Sequence, residues 1–115
     1  MSGERREFAR KPMTGPARLT IQGQAPFMVR IRDISLGGLS VVADINVPLG
    51  QVMRIEFNIV VRKSGRFTSI STLGRLSYTA FSQSENGFKA GLQFTALADN
   101  DRQLILQYIE VLLAK

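Results

Sequence analysis

A chain of 115 residues, 44% hydrophobic and 21% charged, has the size of one ordinary domain and enough apolar material for a core. That excludes a disordered chain and leaves no room for a catalytic domain beside a regulatory one. With no cysteine and no histidine it has no disulfide, thiol nucleophile, or imidazole base or ligand, and most hydrolase and metal-centre designs fall away.

The net charge of +6 calls for an anionic partner, and arginines outnumber lysines eleven to four. A guanidinium offers a planar donor fork that fits phosphate oxygens and a guanine edge, so the partner is expected to be a shaped one. The acidic residues are scattered, with Asp99 and Asp101 the closest pair, and those read as a helix start.

In chain order, Met1 to Gly15 is polar and basic and is closed by Lys11-Pro12 and Gly15-Pro16, which predicts a mobile arm over residues 1–15. Ala17 to Ile21 is a short strand candidate. Phe27 to Asp33 alternates Phe27, Val29 and Ile31 with Met28, Arg30 and Arg32, the period of a half-buried strand. Gly37-Gly38 interrupts the pattern, Leu39 to Ala43 resumes it, and Asp44 to Gly50 reads as a loop.

Val52 to Val61 places Ile55, Phe57 and Ile59 on one face, and a turn at Arg62 to Arg66 leads into a run from Phe67 to Phe81, long enough to bend across a barrel. Asn86-Gly87 predicts a hairpin with positive φ angles before Phe88 to Phe94. Helical spacing begins only after Asp99, a candidate N-cap, with Leu104, Ile105, Tyr108, Ile109, Val111, Leu112 and Leu113 forming a wide apolar face. The expected fold is all-β with one C-terminal helix: a six-stranded antiparallel β-barrel over 16–97 capped by a helix over 98–115. No apolar stretch reaches the roughly 18 residues of a membrane span, and charges stand where a signal peptide would be apolar, so a cytoplasmic home is expected.

Two short pieces stand out, Arg5-Arg6-Glu7-Phe8-Ala9-Arg10 and Asp33-Ile34-Ser35-Leu36-Gly37-Gly38. Each has a bland reading. The first could be a solvated basic tail, and the second a turn in which Asp33 and Ser35 satisfy local N–H groups. Together, in this order across the first strands of a small barrel, they resemble the PilZ domain family, whose members bind cyclic di-GMP through an RxxxR and a DxSxxG motif. Gly91-Leu92-Gln93-Phe94 and Asp101-Arg102 before an apolar helix also look like the C-terminal end of that family, so the resemblance covers nearly the whole chain.

The resemblance implies a receptor that performs no catalysis and needs no metal or other cofactor. Its implied ligand set is Arg5, Arg6, Arg10, Asp33, Ser35, Gly37 and Gly38. The chemistry fits: an arginine fork meets guanine O6 and N7, the role expected of Arg6 and Arg10, and a carboxylate at Asp33 accepts from guanine N1–H and the N2 amino group. Ser35 is expected to donate to a phosphate, and the glycines to turn their N–H groups inward.

Within the family an arginine at the place of Arg5 accompanies a self-intercalated ligand pair, implying two molecules per chain. The arm would close over them and signal to an effector of motility, polysaccharide or biofilm machinery, the chain being a monomer or homodimer. Gly91 reads as structural. The rival functions are a basic barrel binding nucleic acid, which is not expected because no aromatic stacking face is evident, and a ligand-independent adaptor.

Overall fold

Apolar residues that alternate with polar ones are buried along one face of each strand, and six such strands close on themselves in a computed structural model that describes residues 9–61 and 65–113. They are β1 (Lys11–Ile21), β2 (Phe27–Ile34), β3 (Gly38–Ala43), β4 (Val52–Val61), β5 (Arg66–Ser82) and β6 (Gly87–Phe94), followed by helix α1 (Asp99–Leu113). All pairings are antiparallel and the order around the closed barrel is β1-β2-β3-β6-β5-β4. The interior is filled from every strand, with Leu19, Ile31, Leu39, Ile55, Ile70 and Leu92 all 2% exposed or less.

The 17-residue β5 serves two neighbours, pairing with β4 through its first half and with β6 through its second. The bend anticipated for this run is how one strand spans both. Helix α1 follows β6 and packs chiefly against β4. Ile105 and Ile109, four residues apart and so on one helical face, enter the core, where Phe57 and Phe94 stack at 6.4 Å between ring centroids. Tyr108 Oη donates to the Pro12 carbonyl at 3.0 Å and ties the helix to the start of β1.

Three local expectations are corrected. The first strand starts at Lys11, not Ala17, so residues 11–15 belong to the barrel rather than to an arm. Between Lys11 and Pro16 the strand pairs only with β2, and β4 joins at Ala17. On such a one-sided stretch the missing N–H groups of Pro12 and Pro16 are tolerated.

At the β5–β6 hairpin only Asn86 has positive φ, at 54°, and the turn is a longer one closed by Asn86 N–H to the Gln83 carbonyl at 3.2 Å. At the helix start, Arg102 N–H donates to the Ala98 carbonyl, so Ala98 holds the cap position and Asp99 lies inside the first turn. The expected turn at 62–64 lies outside the described residues, as do the side chains of Val111, Leu112 and Leu113.

Candidate functional site

Strict alternation along β2 would send Asp33 into the barrel with Val29 and Ile31. A β-bulge prevents it: Ile31 pairs with Val41, but Asp33 pairs with Ser40, so β2 carries one extra residue, Arg32, and the parity of the faces switches. Asp33 is thereby turned outward and Ile34, fully buried, takes the interior place opposite Leu39. A second bulge at Ser77 does the same on β5, where Leu76 faces Leu92 inside the barrel but Tyr78 faces Gly91 on the outer surface. The two bulges set Asp33, Ser40, Gly91 and Tyr78 in one row across four strands.

Gly91 is the low point of that row. A Cβ there would collide with the Tyr78 ring, so the glycine lets the aromatic ring lie against the sheet while Tyr78 remains 47% exposed. Gly38, by contrast, lies where β3 and β6 approach so closely that a Cβ would strike the Leu92 carbonyl.

Arg10 precedes β1 directly, and because Lys11 pairs with Ile34 it stands over the turn that follows β2. Its guanidinium spreads over three groups: Nε lies 3.3 Å from Asp33 Oδ1, and the other two nitrogens donate to Ser35 Oγ at 3.4 Å and Ser40 Oγ at 3.1 Å. The Asp33 contact is an ion pair without hydrogen-bond alignment, and Oδ1 is a buried acceptor with no hydrogen-bond partner among the described residues. A buried polar atom left unsatisfied is uncommon, and here it lies directly beneath a guanidinium that lines the cleft.

Ser35 is 1% exposed and serves as an acceptor, taking N–H groups from Gly37 at 3.1 Å and Gly38 at 3.2 Å in addition to Arg10. The glycine N–H groups thus point at Ser35 Oγ instead of turning toward a ligand. The side-chain turn considered for this segment is present, and it coexists with the Arg10 contact.

The turn and the Gly91–Tyr78 end of the row border a cleft of about 1060 Å³, lined by Arg10, the Ser35–Gly38 turn, Gly91, Tyr78 and Gln93 of the sheet, and Arg102 of α1. Of the residues anticipated from sequence, Arg10, Ser35, Gly37 and Gly38 line this cleft, and Asp33 is joined to it through Arg10. Arg5 and Arg6 lie outside the described residues. Ser40, Tyr78, Gln93 and Arg102 were not anticipated as site residues. The one local signal was Gly91, whose place inside a strand marks something packed over it. The described residues contain no cluster of three or more possible metal ligands. Forked cations, one carboxylate and an aromatic face suit recognition of an anionic, planar ligand.

The PilZ domain family model matches residues 4–111. No match is found among curated proteins. Among solved structures, the chain resembles the Bacillus subtilis inhibitor of motility MotI/DgrA, with a TM-score of 0.77 and 19% identity over 95% of this chain and 52% of that one. It also resembles the PilZ domain of Escherichia coli YcgR with c-di-GMP (TM-score 0.70, 16% identity, 96% and 92% covered) and Borreliella burgdorferi PlzA in complex with c-di-GMP (0.62, 18%, 87% and 39%). The chain therefore spans about half or less of the MotI and PlzA chains but nearly all of the YcgR domain.

Proposed function

This chain belongs to the PilZ domain family, and on that premise we propose that it is a receptor for cyclic di-GMP that binds the dinucleotide in the cleft beside Arg10 and performs no chemistry on it. The observation that carries the reading is Arg10, which lines the cleft and reaches Asp33, whose Oδ1 is a buried acceptor without a hydrogen bond among the described residues. Guanine offers N1–H and an N2 amino group side by side, and the Asp33 carboxylate accepts from both, whereas adenine lacks these donors. Arg10, with Arg6 from the preceding segment, meets the O6 and N7 edge or a phosphate, and the exposed face of Tyr78 offers a surface on which a base stacks. Ser35 organises the turn and helps hold Arg10 over Asp33.

A cleft of about 1060 Å³ stands at the upper end of the roughly 300–1,000 Å³ of ordinary ligand sites. That size agrees with two stacked dinucleotides per chain, the second favoured by Arg5. Ligand capture fixes the segment carrying Arg5 and Arg6 and presents a new surface to an effector protein. Among the described residues no helix is long and apolar enough to cross a membrane. We assign the receptor to the cytoplasm, where nucleotide messengers are made.

Calorimetric titration of cyclic di-GMP, with GTP and cyclic di-AMP as controls, tests the reading. Selective binding with about two ligands per chain is expected. One ligand per chain would remove the paired-ligand element alone, and absence of binding would leave a PilZ domain acting through proteins only.

A further inference from the structure

Most of the described arginines are engaged. Arg10, Arg18, Arg30, Arg32 and Arg54 hold Asp33, Glu56, Asp44, Glu85 and Ser71 respectively, and Arg66 also has a partner. The side chains of Arg75 and Arg102 alone among the described arginines make no hydrogen bond or ion pair, and of the two Arg102 lines the cleft. Arg102 lines its helical wall, and Arg75 pairs across β5–β6 with the lining residue Gln93.

For Arg102 the missing partner is informative. Asp99 lies three residues earlier in the same helix, the spacing at which a surface ion pair forms, yet none forms. Arg102 borders the cleft instead, which Arg10 also lines.

We infer that Arg102 is a phosphate-binding residue of this receptor, which brings the C-terminal helix into direct contact with the ligand. The inference rests on the cyclic di-GMP reading and extends it. Arg10 already faces the Asp33 carboxylate, whereas the Arg102 guanidinium has no partner among the described residues and stands at the same cleft, where a ligand phosphate meets its donor fork. A ligand held between Arg10 and Arg102 clamps β1 to α1, two elements already joined by the hydrogen bond from Tyr108 to Pro12.

The test is calorimetric titration of cyclic di-GMP, at low and high salt, into the full chain and its Arg102→Ala, Arg102→Lys and Arg18→Ala variants. Arg18 lies on the outer face of β1 paired with Glu56, so its removal subtracts the same charge without touching the cleft. Arg102→Ala is expected to weaken binding about tenfold, the usual scale of a lost hydrogen bond to a charged group, and to flatten its salt dependence. Arg102→Lys should retain part of the affinity, Arg18→Ala nearly all of it, and all variants should melt with wild type. Unchanged affinity and salt dependence in Arg102→Ala, or an equal loss in Arg18→Ala, would overturn the inference while the receptor stands. A wild-type chain that binds no cyclic di-GMP would remove the receptor reading itself.

Discussion

Asp33 and Gly38 belong to one six-residue motif yet act on different things. Asp33 holds an unsatisfied acceptor beside Arg10, so on the receptor reading Asp33→Asn is expected to weaken cyclic di-GMP binding tenfold or more, at about 1.5 kcal/mol for a hydrogen bond to a charged group, with little change in melting temperature. Titration and a thermal melt on the same sample separate the two effects. Gly38→Ala should do the reverse. Its Cβ meets the Leu92 carbonyl, which belongs to the backbone of a paired strand and cannot turn aside, so a loss of about 1–3 kcal/mol and a fall of several degrees in Tm are expected. A melt matching wild type would show that β3 and β6 are not so closely set. Arg10, Asp33 and Ser35 were legible because they lie within short motifs; Tyr78, Gln93 and Arg102 come from three different elements and share no local pattern.

Strands and helix place these side chains through irregularity as much as through regular pairing. The bulge at Arg32 decides that Asp33 faces out and Ile34 faces in, so exchanging the two residues (Asp33→Ile with Ile34→Asp) should drive a carboxylate into the core opposite Leu39. Burying an unpaired charge costs several kcal/mol, comparable to the whole stability of a domain this size, so a cooperative melting transition should be lost. A folded exchange variant would mean that the register rearranges. The helix makes a gentler prediction: Tyr108→Phe removes the bond to Pro12, and faster amide hydrogen exchange is expected in the first residues of β1, with a global cost of about 0.5–1.5 kcal/mol. Exchange there equal to wild type would show that β2 pairing alone holds that stretch.

At the scale of the whole molecule, closure of the ring brings the beginning of β1, the turn after β2, the end of β6 and the first turn of α1 to one end, and the cleft is what lies between them. The proposed mode of signalling is the ordering of the segment that precedes β1. Backbone relaxation from Glu4 to Lys11 is therefore expected to slow on ligand addition, and unchanged rates would rule out ordering as the signal. The sequence by itself determined the six strands and the helix, because period-2 and helical spacing of apolar residues report directly on which face is buried. It also marked Arg10, Asp33 and Ser35, whose chemistry is written in residue type and short spacing. Tertiary structure alone decided which way Asp33 and Tyr78 point and that Arg102 shares a cleft with Arg10 and Tyr78. A single extra residue in a strand reverses the facing of every residue beyond it, and no local pattern records which partner strand forces that extra residue out.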